Sequence, residues 1–376
     1  LLVPDLAAAW SAVAGGGALS LPARGASLRG WAQRLLSHAH SAAVVDELSF
    51  WRGQLEGGSL SLVDGSLDGG RDVAGTAGEL RLTLPVAATA ALLTRVVASF
   101  HGGVNEVLLT ALAVAVADFC RRHGRPEGSA VLLELEGHGR EEEAFAGVDL
   151  SRTVGWFTSL FPVRLELSGV DVAEAAAGGA ALGRALKSIK EQLRAVPGKG
   201  LGYGLLRYLN AATASELCGF AAPQIGFNYL GRFAAGSGTD WGFADEAVRL
   251  GGSDPSMPLS HGVAINALTL DGPGGPRLSA HWTYAPALLP EALVRELAEG
   301  WFGVLSALVR HIEQPGAGGR SPSDFALVAL TQGEQTPPGP AIRADFGAEY
   351  VLTDRAHKAF IRAAVEVDGD WSAGFT

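Results

Sequence analysis

Along the chain, the apolar positions switch repeatedly between a helical spacing and strict alternation. Leu6, Trp10 and Val13 recur at helical spacing, and Gly15-Gly16-Gly17 stops the run, so a first helix is expected there. Trp31, Leu35 and Leu36 mark a second helix, and Val44, Val45, Leu48, Trp51 and Leu55 a third. From Glu56 to Gly78 the composition turns to Gly, Ser and Asp, which reads as a linker or exposed crossover and sets the main internal boundary. A short strand is expected from Glu79 to Leu84. Pro85 then opens a helix through Phe100, since the first helical turn leaves its N–H unpaired in any case.

The run from Val104 ends in Arg121, Arg122 and His123 with Gly124 just beyond. Cations at the negative end of the helix dipole and a left-handed glycine cap make a well-formed C-terminus. Val131, Leu133 and Leu135 alternate with Leu132, Glu134 and Glu136, as Phe161, Val163, Leu165 and Leu167 do with Pro162, Arg164 and Glu166. Both segments read as strands with one apolar face. Leu182, Leu186, Ile189, Leu193 and Val196 describe an amphipathic helix. Three further strands are expected at Gln224 to Leu230, Gly262 to Leu270 and Leu278 to Tyr284. Pro290 opens a closing helix striped by Leu293, Leu297, Trp301, Leu305, Leu308 and Ile312. Alternating strands and helices predict an α/β layer architecture. From Gln335 the pattern fades into Thr336-Pro337-Pro338-Gly339-Pro340 and an unassigned acidic tail.

Composition narrows the picture. The chain has 376 residues, enough for two lobes, and 48% of them are hydrophobic. The run from Val104 to Cys120 is the nearest approach to a membrane span, but Asn105, Glu106 and Asp118 fall within it, so a buried core helix is expected. A formal net charge of −10 argues against a nucleic-acid partner, which would need a basic stripe. The two cysteines, Cys120 and Cys218, are expected to be buried free thiols, pointing to a reducing cytoplasm, and the lack of a long apolar run predicts no membrane association. The chain begins at Leu1 and opens on what reads as mid-domain sequence, as if cut from something longer.

Candidate chemistry gathers in three segments. Glu136 ends an apolar strand just before Gly137-His138-Gly139, so its carboxylate is presented at the tip of a rigid element. Burial there would raise its pKa toward the range useful to a general base. The bland alternative is a solvated acidic loop, to which Glu141, Glu142 and Glu143 are assigned. Gly198-Lys199-Gly200-Leu201-Gly202-Tyr203-Gly204 superficially resembles a dinucleotide fingerprint, but it follows a helix and lacks a βαβ context; it reads as an inter-element loop. Phe227-Asn228-Tyr229-Leu230-Gly231 puts an amide and a phenol side by side on a strand. In a regular strand the two would face opposite sides, so a shared site would require the strand to bend or end there.

Taken together, these segments resemble the ordered motifs of epimerization domains of nonribosomal peptide synthetases, within the condensation-domain superfamily. The likeness runs through 107–112, the loop Glu136 to Glu141, Arg152 to Thr158 with Trp156, Pro197 to Gly204, and 227–231. It implies a chloramphenicol-acetyltransferase-like two-lobed α/β fold, with residues 1–76 a remnant of the N-terminal lobe and crossover. Residues 77–334 would be a complete C-terminal lobe, and 335–376 a linker and tail. The activity implied is L-to-D inversion of the α-carbon of an aminoacyl or peptidyl thioester. The substrate would ride on the 4′-phosphopantetheine arm of a peptidyl carrier protein, with adenylation and condensation domains as neighbours and no directly bound cofactor or metal. By position, Glu136 takes the acid/base role and Tyr229 is a candidate proton relay or enolate donor. Asn228, His138, Trp156, Gly202 and Tyr203 are candidate substrate contacts.

One departure is large. The family's first-lobe His-His-x-x-x-Asp-Gly motif is absent, and no two of the nine histidines are adjacent. His38 and His40 are nearest in appearance and read as surface residues, while His138 shares a loop with Glu136 and would approach from the same side. Asn105-Glu106 stands where the family usually has Asn-Asp. The chain as given is therefore expected to show little epimerase activity and to expose apolar surface. A condensation domain joining two thioesters and a non-catalytic carrier-docking module are the alternatives.

Overall fold

The computed structural model describes residues 1–125, 128–234, 254–325, 341–344 and 348–351. Six strands form one mixed sheet: β1 (Gly78–Thr83), β2 (Ala130–Gly137), β3 (Ser159–Glu166), β4 (Ile225–Ala234), β5 (Val263–Gly272) and β6 (Gly275–Tyr284). Their spatial order is β1-β6-β5-β4-β2-β3, with β2, β4 and β5 mutually parallel and the remaining pairs antiparallel. Two short strands, β7 (Ala341–Ala344) and β8 (Ala348–Val351), pair separately within the predicted tail, the rest of which lies outside the described residues.

The sheet's inward positions are the predicted apolar ones. Val131, Leu133, Leu135, Phe227, Ile265 and Trp282 are all buried. Against them pack α7 (Val104–Arg122), α9 (Ala180–Arg194) and α12 (Glu291–His311), with α8 (Val172–Ala177) lying on these three helices. The α7 run read as a core helix is buried at nearly every position from 107 to 120, and among the described residues no single helix is long and apolar enough to cross a membrane. Glu106 reaches back to the Gly103 N–H at 2.7 Å, closing one of the unpaired donors at the α7 N-terminus. Gly124 takes φ +67° just past its end, as expected for a glycine cap.

The stretch predicted as one helix from Pro85 runs as α5 (Val86–Ala91), a π-helical turn over Leu92–Val96, and α6 (Val97–Phe100). On the β3 side lie α2 (Leu28–His38), α3 (Ala42–Val45) and α4 (Leu48–Leu55), so the predicted third helix is broken at 46–47. Trp51 on α4 is fully buried against Phe161 and Tyr203, which places residues 39–63 in the same apolar core as the sheet. The β3 edge, a hazard if its N–H groups stood open, is closed by side chains: Gln54 accepts from Arg164 N at 2.8 Å and Gln192 from Glu166 N at 2.7 Å.

The Gly-rich stretch read as a loop divides in two: Gly198, Lys199 and Gly200 form a left-handed turn, and from Leu201 the chain is helical, through α10 (Leu201–Gly204), a π turn Leu205–Leu209 and α11 (Ala211–Cys218). The cysteine expectation holds only by half. Cys120 is buried, with its thiol pushed up to about 11 by desolvation, whereas Cys218 at the end of α11 is exposed. The first helix, α1 (Leu2–Ala14), forms as predicted but buries none of its residues.

Candidate active site

The parallel strands β2 and β4 end side by side, and a cavity of about 1090 Å³ opens at their carboxyl ends. Such ends are where open α/β sheets generally bind ligands, because loops diverge from them. Leu135 is in register with Phe227, so the next residues, Glu136 and Asn228, are neighbours on the opposite face from the helices. The Asn228 amide Nδ2 donates to Glu136 Oε2 at 2.7 Å. The row continues across the sheet through Asn266, His281 and Arg81, each in register with the last.

Burial raises the Glu136 carboxyl above the usual carboxylate range. A smaller pull downward comes from the charge of His261, and the neighbouring Glu134 carboxylate pushes it up again. A carboxylate that holds its proton more firmly than usual, yet opens into a cavity, can take a proton from a weak carbon acid and return it.

Not every predicted site residue converges here. Glu136, His138, Trp156, Asn228 and Tyr229 all line the cavity, Trp156 as an 87% exposed indole at its mouth. The Tyr229 hydroxyl, however, is hydrogen-bonded to Thr269 Oγ1 at 3.0 Å, and the ring packs against the core. The strand does not end at Asn228-Tyr229, although its register slips between Tyr229 and Arg232, with Gly231 at φ +96°. Gly202 and Tyr203 are buried away from the cavity lining: a Cβ on Gly202 would strike the Glu47 carboxylate, and the Tyr203 ring lies tilted against Trp51 with its hydroxyl accepting from Arg207 Nη1 at 3.0 Å.

The loop after Glu136 is tightly fitted. Gly139 has φ +66°, and a Cβ there would strike the Phe157 carbonyl oxygen, so only glycine lets the loop lie against 157–159. Arg140 stacks over Phe157 at 4.0 Å and donates to the carbonyls of Leu150 and Thr153. Glu141, assigned from sequence to a solvated acidic loop, is buried instead. It pairs with Lys199 Nζ at 2.9 Å and lies 3.5 Å from His138 Nε2. Lys199 sits at φ +50° between Gly198 and Gly200, both also left-handed, so the ion pair ties the Gly-rich turn to the Glu136 loop. His40 is exposed as expected, but His38 is half-buried against Phe145. Glu134, Asn266 and His261 escaped the sequence reading. Strand alternation puts Glu134 on the Glu136 face, but nothing in the sequence pattern joins His261 to it.

The condensation-domain family matches residues 1–330. A component of the linear gramicidin synthase of Brevibacillus parabrevis is 35% identical over 334 residues, which is 88% of this chain and 6% of that protein. Bacitracin synthase 3 of Bacillus licheniformis is 31% identical over 326 residues, 86% of the chain and 5% of that protein. The chain thus spans under a tenth of these curated relatives. Among solved structures, the epimerization domain from the third module of tyrocidine synthetase B superposes with a TM-score of 0.66 at 28% identity. The match covers 83% of this chain and 65% of that one.

Proposed function

The chain belongs to the condensation-domain family, and from that premise we propose that it carries the Glu136 half of an epimerization site acting on a carrier-bound aminoacyl or peptidyl thioester. The observation that carries this reading is the Glu136–Asn228 contact at the mouth of the cavity, where a raised carboxyl meets open space. Glu136 takes the α-proton, the C–H electron pair moves into the thioester carbonyl to give an enolate, and a proton returned to the opposite face gives the D-configured thioester. Asn228 keeps the carboxylate aimed. Tyr229 supports the Asn228 strand through Thr269 and is a candidate enolate contact only if its hydroxyl leaves that partner. His138 and Trp156 border the path by which a phosphopantetheine arm on a peptidyl carrier protein would enter. Gly202 and Tyr203 act indirectly, by packing against Glu47 and Trp51 behind the cavity lining.

Inversion needs a donor on each face of the α-carbon, and the sequence contains no His-His-x-x-x-Asp-Gly to supply the second. The 376-residue chain incubated with an L-aminoacyl carrier protein in D2O is therefore expected to yield little D-thioester. Supplying a segment that bears that motif should permit inversion, and Glu136→Gln should then lower α-proton exchange by roughly 10²–10⁴-fold. An unchanged exchange rate in that variant would remove Glu136 as the base. Amide formation between two loaded carriers, without exchange, would favour the condensation reading. Carrier binding with neither reaction would leave a docking module.

A further inference from the structure

The sheet face that presents Glu136 also carries a second acid–imidazole pair. Glu134 precedes Glu136 by two positions in β2, so both side chains leave the same face. Glu134 Oε2 lies 3.1 Å from Nε2 of His261, which stands at the entrance to β5. The imidazole is laid over Gly226, the residue in register with Glu134 on β4. A Cβ at 226 would stand 2.7 Å from His261 Nδ1. A glycine inside a strand weakens it, and here its bare backbone forms the socket for the ring. Both partners are largely covered, with side chains 13% and 20% exposed.

We propose that His261, clamped by Glu134 over Gly226, is a positioning residue for Glu136, setting the pH at which that carboxylate is free to accept a proton. This rests on reading Glu136 as the base; His261 itself lies against Glu134 and Gly226. Two carboxylates on one strand face repel, and Glu136 then holds its proton to higher pH. His261, set 3.1 Å from Glu134, offsets part of that carboxylate's charge before Glu136 feels all of it. The influences on Glu136 run in these directions: burial and Glu134 raise it, His261 lowers it. The cavity into which Glu136 opens also carries Glu106, His138, Arg140, Glu141, Arg194 and Lys199, while Tyr203 and Arg207, Glu47 beside Gly202, and His281, Glu79 and Arg81 farther along the sheet complete the charged and titratable surroundings. None is altered in the variants below.

The test is a carboxyl-carbon NMR titration of the whole 376-residue protein, with the Glu136 signal assigned by its loss in Glu136→Gln. His261→Gln is expected to raise the Glu136 midpoint by about one pH unit, the lower end for removing a nearby opposite charge. Gly226→Ala, which evicts the ring without changing any charge, should shift it in the same direction. Glu134→Gln should lower it. An unmoved midpoint in folded His261→Gln, or in Gly226→Ala should His261→Gln fail to fold, overturns the proposal. No activity is needed for this readout. A shifted midpoint with unimpaired exchange in Glu136→Gln would sink the base assignment alone, and an unshifted midpoint with lost exchange would sink only the positioning role.

Discussion

Asn228 Nδ2 and Glu136 Oε2 meet at 2.7 Å although 92 positions separate them in sequence. The contact exists because β2 and β4 are parallel and in register up to Leu135 and Phe227, which leaves the two polar residues adjacent at the point where the strands run out. Burial is the largest influence on the Glu136 carboxyl and pushes it up, whereas a hydrogen bond such as the one Asn228 donates favours the charged form of a carboxylate in general. Asn228→Ala in the protein supplied with that histidine motif should therefore lower exchange at neutral pH by roughly tenfold to a hundredfold, the loss of one hydrogen bond to a charged group. It should also move the rising limb of the pH–rate profile to higher pH. A parallel drop at every pH, with the midpoint unchanged, would show that Asn228 only shapes the cavity.

The same raised carboxyl makes a stability prediction whose sign follows from linkage. A folded-state pKa above the unfolded value means that the folded chain binds the proton more tightly, so this contribution to stability falls as pH rises through the interval between the two. Glu136→Gln removes the charged form and should raise the thermal midpoint at about pH 7 relative to the parent. The two proteins should converge in acid, below the ordinary carboxylate range. Melting curves at about pH 3 and about pH 7 decide it; equal midpoints at both would mean that the desolvation is relieved in solution.

The alternating and helical runs foretold every strand of the sheet and its main helices, because period 2 and period 3.6 are imposed by the same burial that forms the core. Glu136, Asn228 and Trp156 were legible as motif members, and the cavity collects all three. What stayed hidden was long-range. Glu141 looked like one of three solvated acids, and only folding brings Lys199 across to bury it. His261 carried no local signal, since its partners Glu134 and Gly226 lie on two other strands. Asn228 and Tyr229 face opposite ways in a regular strand, and the strand stays regular there, so the phenol is turned onto Thr269. Cys218 was misplaced because small neighbours signal tight packing only when the helix end is itself covered, and α11 ends in the open.

Behind the cavity, Lys190 is wholly buried and its Nζ meets Asp324 Oδ2 at 2.6 Å and the Phe100 carbonyl at 2.8 Å. Arg194, which lines the cavity, binds the other Asp324 oxygen at 2.8 Å. Burial pushes the Asp324 carboxyl up, but donors from Lys190, the Ser321 N–H and Arg194 outweigh it and hold it below the usual value. Its contribution to stability is therefore present above the ordinary carboxylate pKa and lost as pH falls through the lower folded value. Asp324→Asn leaves the Lys190 ammonium buried without its counter-charge and should cost about 3–5 kcal/mol in denaturant unfolding. Lys190→Met should cost less, because Asp324 keeps Arg194 and the apolar replacement suits the site. The reverse order would contradict this account.

At Gly139 the backbone is left-handed and the Phe157 carbonyl occupies the space a side chain would need. Gly139→Ala must open the loop away from 157–159, which would unstack Arg140 from Phe157 and move His138 relative to Trp156. Strain at such a position is of order ~1–3 kcal/mol before the clash is counted. Hydrogen exchange should rise across 137–158 with the sheet core protected. Unaltered protection there would mean that the loop relaxes without releasing its neighbours.

Helix α1 makes the last case. Leu2, Leu6, Trp10 and Val13 are each more than half exposed, and Asp5 is tied to Arg152 Nη2 at 2.5 Å. A continuous apolar stripe of this kind favours association, since each burial of apolar area is worth about 25 cal/mol per Å². Light scattering is expected to show a mass that grows with protein concentration. The double substitution Leu6→Glu with Trp10→Glu should return it toward the monomer while changing stability by less than about 0.5 kcal/mol, because neither side chain supports the core. A parent that stays monomeric across the concentration range, or a double variant that unfolds, would show that α1 is packed in solution.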